Sequence, residues 1–186
     1  MWWAQLLNLI VAMLGNGAGG GGGSYESIAT ATGTGSSGTI TFSSIPSTYA
    51  SLQIRMFSKD TTNNQNGIRF NSDSGSNYAT HWLLGDGATA SASALTSTNR
   101  VSYIGQSVGT ASIGGVSIID VLDYASSAKN KTVRAFTGWN TNGSGEIRLT
   151  SGLWMSTSAV TSLSIVNLGD NFSTSTTVAL YGIKGA

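Results

Sequence analysis

From Tyr25 onward the chain is a succession of short runs in which apolar residues alternate with polar ones, each run ended by a cluster of Gly, Asn, Asp or Ser. Ile40 and Phe42 alternate with Thr39, Thr41 and Ser43, and Leu52, Ile54 and Met56 alternate with Gln53 and Arg55. A period of two sends successive side chains to opposite faces, which suits a strand and disagrees with a helix. Val101 with Tyr103, Val133–Thr137, Ile147–Leu149, Leu163–Val166 and Val178–Tyr181 extend the pattern. No long segment of helical period separates these runs, so a parallel α/β sheet, whose crossovers need helices, is excluded. The pattern predicts an all-β fold over residues 24–186: an antiparallel β-sandwich, jelly-roll-like. Val116–Leu122 is apolar except at Ser117 and Asp120, which predicts a strand buried on both faces. Asn142-Gly143 marks a hairpin turn, with Gly145 allowing a longer loop, and Gly33–Gly38 reads as a glycine-rich hairpin loop. Pro46 fits a turn between strands, while Asp60–Gly67 and Gly85–Ser93 read as contact loops.

The N-terminus is a different object. Residues 1–14, MWWAQLLNLIVAML, carry no charge and no helix breaker. Trp3, Leu6, Leu7, Ile10, Met13 and Leu14 recur at spacings of three and four, with Trp2 beside them, and predict one apolar helical face. No Lys or Arg precedes Arg55, so the basic start of a signal peptide is missing. The apolar run is also shorter than the roughly 20 residues of a membrane span. A short anchor or oligomerisation helix is therefore expected, because an isolated helix of this length is marginal in water and needs a surface to dock on. Residues 15–23, GNGAGGGGG, read as a tether whose root-mean-square reach is about 17 Å.

Composition narrows the chemistry. Only 9% of the residues are charged, whereas Ser and Thr together number 51. A net charge of +1 offers no footprint for nucleic acid. The absence of Cys removes disulfides and thiolate chemistry, and the single histidine, His81, removes two-histidine metal sites. Asp73, Asp86, Asp120 and Asp123 supply acids for a His81 triad only on paper, since no GxSxG elbow occurs. His81 is expected instead as a half-buried polar side chain beside Trp82, or as one member of a cluster at a symmetry axis. Asp120 interrupts an apolar strand, so a partner such as Arg134 is expected rather than a paired-carboxylate hydrolase site. Asp73–Asn77 has too few carboxylates for a tight Ca²⁺ loop. Gly33-Thr-Gly35-Ser-Ser-Gly38 matches a dinucleotide fingerprint but is followed by a strand, where that site needs a helix. The expectation is a protein that is not an enzyme and holds no cofactor or metal. Most large aromatics of a β-sandwich are core, the first expectation for Trp82, Trp139, Trp154, Tyr78, Tyr103 and Tyr124; because aromatic faces also stack on sugars, the alternative is a glycan platform, with Tyr78, His81, Trp82 and Trp139 as the ligand-facing set.

Several stretches carry a resemblance: Tyr25-Glu-Ser-Ile-Ala-Thr30, Ser44-Ile-Pro-Ser-Thr-Tyr49 with Leu52-Gln-Ile-Arg55, and Gly75-Ser-Asn-Tyr78 with Gly85-Asp-Gly87. Ile119-Asp-Val-Leu-Asp-Tyr124 with Lys131-Thr-Val-Arg134, Ser151-Gly-Leu-Trp-Met155 and the terminal Ala179-Leu-Tyr-Gly-Ile-Lys-Gly185 complete it. As a set, across residues 25–186, they resemble small virion structural proteins of tailed bacteriophages of aquatic bacteria. The resemblance implies a β-sandwich protein of the particle surface, an appendage or decoration, and fixes neither head nor tail; the small size, single knob and tether point to a capsid-decorating protein of head-fibre kind. Its expected partners are copies of itself, as a homotrimer, and the major capsid or other virion proteins. The alternative is a short tail fibre whose knob binds a host-surface glycan. It brings no catalytic residues with it and does not extend to residues 1–23.

Overall fold

The computed structural model describes residues 23–110 and 112–185, and the anchor helix and most of the tether expected before them lie outside that range. Twelve strands form two antiparallel sheets packed on each other, and no helix occurs among the described residues. The strands are β1 (Tyr25–Thr32), β2 (Thr39–Phe42), β3 (Ser51–Ser58), β4 (Gln65–Phe70), β5 (Tyr78–Gly85) and β6 (Ala90–Thr98), followed by β7 (Val101–Gln106), β8 (Gly115–Leu122), β9 (Lys131–Asn140), β10 (Gly145–Trp154), β11 (Leu163–Asn167) and β12 (Thr177–Ile183). One sheet holds eight strands in the order β1-β12-β3-β8-β9-β10-β5-β6, and the other holds four in the order β2-β11-β4-β7. The pairing is all-β and sandwich-like, but the strands divide eight and four, where a jelly roll divides its eight strands between two sheets.

The core follows from the alternation. Leu52, Ile54 and Met56 of β3, Ile119 and Val121 of β8, and Val178 and Leu180 of β12 point inward from the large sheet. Ile40 and Phe42, Ile68 and Phe70, Val101 and Ile104, and Leu163 and Ile165 meet them from the small sheet. β8 is not buried on both faces. Ser117, Ile119 and Val121 are inside, while Val116, Ile118 and Leu122 are 54%, 42% and 41% exposed. The apolar run was produced by two apolar faces, of which the second sheet covers one.

The Gly33–Gly38 segment is not a hairpin but a passage from the large sheet to the small one, since β1 and β2 belong to different sheets. It is tied to the chain before β12 by Gly33 N–H to Thr176 O (3.0 Å) and Gly35 N–H to Phe172 O (2.9 Å). A Cβ on Gly33 would lie 2.1 Å from Ser173 O, so the close approach requires glycine. The two expected contact loops are shorter than drawn, because β4 starts at Gln65 and β6 at Ala90. Asn142-Gly143 does turn a hairpin, through the longer loop: Thr141 N–H donates to Ser144 O at 2.8 Å, outside the last ladder pair Asn140–Gly145.

The ends of the sandwich differ. At the near end, where both described termini emerge, Lys184 N–H donates to Ser24 O (2.9 Å) and Glu26 pairs with Lys184 (2.8 Å). There the buried Tyr124 hydroxyl donates to Pro46 O (2.6 Å) and accepts from Tyr49 N–H (3.1 Å), and the Tyr49 ring fills the space a Cβ on Gly182 would need. Lys131 is wholly buried, and its ammonium donates to Ser126 O (2.7 Å), Lys129 O (2.6 Å) and Thr157 O (3.1 Å). Burial pulls its pKa below the usual lysine value, and the ring of carbonyls offsets that cost. Replacing Lys131 by Met leaves these carbonyls without their donor and is expected to cost about 1–3 kcal/mol. Thermal unfolding checks it: Lys131→Met should melt several degrees lower, whereas the same change at the exposed Lys129 should shift the melt little.

Candidate functional site

Two surfaces stand apart from the scaffold just described: a cleft at the far end and the outer face of the large sheet. The cleft lies between the β5–β6 turn and the β9–β10 loop, about 30 Å from the near end, the length of the ten-residue β9. Asp86 shapes the first wall. Its carboxylate accepts from Thr89 N–H (2.7 Å), Ala88 N–H (2.9 Å) and Thr89 Oγ1 (3.0 Å), bonds that hold its pKa below the usual aspartate value. The second wall turns at Asn142 and Gly143, both at positive φ (57° and 143°). Trp139, Asn140 and Glu146 line the space, a volume of about 360 Å³.

Under the cleft the inner face of the sheet is charged and aromatic. Glu146 pairs with Arg148 at 2.6 Å, with side chains 14% and 5% exposed. The Arg148 guanidinium also donates to Gln65 Oε1 (2.8 Å) and stands 4.6 Å from the centre of the Tyr103 ring, which packs 4.4 Å from Trp82. Burial raises the Glu146 pKa, against the pull of Arg148, and lowers that of Arg148, which stays charged. Trp139 Nε1 and Arg148 Nε are buried here without an acceptor. Tyr103 sits at φ 62°, a conformation that large side chains rarely adopt. Carboxylates, an amide and an indole thus line an open cleft; Glu146, Arg148 and Gln65 went unnoticed in the sequence because nothing local marks a polar side chain as buried.

The outer face of the large sheet is apolar in register. One row across the strands reads Arg55, Ile118, Phe136, Leu149, Leu83, Ala92, and the next reads Phe57, Val116, Gly138, Ile147, Gly85, Ala90. Leu83, Phe136, Ile147 and Leu149 are 52%, 48%, 53% and 51% exposed. The row beyond is polar: Gln53, Asp120, Arg134, Ser151, His81.

The expected ligand-facing residues do not form one platform. Tyr78 is a correction: it is fully buried, its hydroxyl accepting from Phe70 N–H (3.0 Å) and donating to Asp73 O (3.1 Å), with its pKa pushed up to about 12 by burial. Trp154 and Tyr124 are core residues too. His81 is exposed on the outer face, whereas Trp82, its chain neighbour, points inward to Tyr103, because adjacent residues of a strand face opposite ways. Trp139 alone of the set lines the cleft. Asp120 meets Arg134 (2.9 Å), as expected, and also accepts from Gln53 (2.9 Å), while Asp123 pairs with Lys129 (3.0 Å). Three strand spacings, about 14 Å, separate His81 from Asp120 in their shared row. Among the described residues no cluster of His, Cys, Asp or Glu is fit to hold a metal, and no helix is long and apolar enough to cross a membrane. No protein-family model matches the sequence, and no curated protein is significantly similar to it.

Removing the Glu146 carboxylate strands a buried guanidinium, so Glu146→Ala is expected to cost about 3 kcal/mol, and Glu146→Gln, which keeps an acceptor, distinctly less; chemical denaturation of the two variants checks the order. Acid acts at the near end through Asp73, whose pKa is held low mainly by the Trp154 indole donating at 2.7 Å. A lowered carboxylate pKa stabilises the fold above the unfolded value, near 4, and that contribution is lost as pH falls through the folded value. The melting temperature of the wild type should therefore drop steeply between about pH 5 and pH 3, and that of Asp73→Asn less steeply.

Proposed function

We propose that the protein is a structural component of a bacteriophage particle, most concretely a capsid-decorating protein held by its N-terminal residues with the sandwich projecting outward. The observation that carries the reading is the polarity of the body. Ser24 and Lys184 lie side by side at one end, and the cleft with the β5–β6 and β9–β10 hairpin tips occupies the other. Residues 1–14 are then the anchor and residues 15–23 the tether, and the near end faces the shell. The segments that carry the phage resemblance include Tyr49, Tyr124, Lys131 and Gly182, all part of the near-end scaffold. A hydroxyl-rich, weakly charged exterior suits a particle that meets changing salt, because little of its stability rests on screened ion pairs.

Particles lacking the protein, incubated with the full chain or with a chain lacking residues 1–23, provide the test. Only the full chain should sediment with the particles, and labelled protein should map to heads. Undiminished incorporation of the truncated chain defeats the anchor. A second reading, a tail-fibre knob that binds a host-surface glycan, is favoured by Trp139 with its unpaired indole N–H at the far end. It requires a glycan-array signal that Trp139→Ala abolishes, together with label on tails.

A further inference from the structure

We propose that the outer face of the eight-stranded sheet is the surface through which two copies of this chain associate, packed sheet against sheet. The inference rests on the reading of the protein as an assembly component and names the surface and its occupant. Eight large apolar side chains on this face, Phe57, Leu83, Val116, Ile118, Leu122, Phe136, Ile147 and Leu149, are each between 36% and 54% exposed. Together they offer on the order of 500 Å² of apolar surface, at the upper end of what a monomer leaves uncovered.

The size and shape of the face select a second copy. Interfaces are roughly 60% apolar, so about 500 Å² of apolar surface corresponds to about 800 Å² per partner, the amount a stable protein pair buries. Phe136 on the central strand β9 stands between two shallow grooves and borders a smaller hollow, about 250 Å³, with Leu83, Ile147 and Leu149. One groove, about 520 Å³, is lined by Arg55, Phe57, Val116 and Ile118; the other, about 420 Å³, by His81, Leu83, Arg134 and Leu149. A ridge flanked by grooves is self-complementary under a two-fold axis, each copy's ridge entering the other's groove. The two apolar rows hold one charge, Arg55 at their margin, and Asp120 and Arg134 along the adjacent row neutralise each other. Such a face gives little to a charged partner. Sheets pack face to face about 10 Å apart, so a second copy would repeat outside the packing that the small sheet makes inside.

The test uses the full chain and needs no particles. Sedimentation equilibrium of the wild type at micromolar concentration should give a dimer, and Ile118→Asp with Leu149→Asp should weaken association at least 100-fold. These side chains are half exposed, so circular dichroism and the melting temperature should stay near the wild-type values. Thr41→Glu, on the exposed face of the small sheet, should leave association unchanged. A monomeric wild type overturns the inference, as does a folded double variant that still associates. So does a chain carrying Leu6→Asp and Ile10→Asp that falls to monomers, because the N-terminal segment is then the contact. A chain that associates through this face but never joins particles keeps the inference and sinks the particle reading. A wild type that joins particles as a monomer does the reverse.

Discussion

A sheet needs a partner of comparable breadth to bury one whole face, and here an eight-stranded sheet is given a partner of four. That mismatch orders the rest of the molecule. Where the small sheet covers the large one, the inward residues of β3, β8, β9 and β12 form a dry core with those of β2, β4, β7 and β11. Toward the far end the contact between the sheets turns polar and aromatic, where Trp82, Glu146 and Arg148 of the large sheet meet Tyr103 and Gln65 of the small one. β6, at the margin, is exposed along nearly its whole length.

The outer face of the large sheet, turned away from the small one, is uncovered whatever the breadth of its partner. A lone antiparallel sandwich normally alternates apolar inside with polar outside. β8, β9, β10 and β5 depart from this by presenting Ile118, Phe136, Leu149 and Leu83 in one unbroken row. Water contact of that row is unfavourable, and the proposed association of two copies would relieve it.

With so few charges, specificity inside the body comes from neutral donors and acceptors. Tyr124 joins the chain before β3 to the end of β8, Tyr78 joins β5 to β4, and Lys131 gathers two loops through their carbonyls. Asp60, also buried, accepts from the backbone of Thr62, Asn63 and Asn64 and from the Asn167 side chain, fixing the loop before β4 to the end of β11. The ties of Tyr124 to Pro46 and Tyr49, of Lys131 to Thr157 and of Asp60 to Asn167 cross long stretches of sequence, so none of these is visible as a motif.

The all-β character and the location of many strands were legible because alternation is local: Ile40 with Phe42, and Leu52 with Ile54 and Met56, announce a face every second residue. The partner of Asp120 was legible too, since a charge in an apolar strand needs one. β5 and β6 were obscured by Ser, Thr and Ala, whose pattern is weak, and Tyr78 looked like a surface aromatic although a hydroxyl can be satisfied in a core. By itself the sequence determined that the body is strands with two distinguishable faces. Which face is covered, that Gly33–Gly38 crosses between sheets, and that Tyr25 pairs with Ile183 were decided by the tertiary structure alone. The physical reason is that a period of two sorts side chains into two sets, while only pairing between distant strands decides what each set meets.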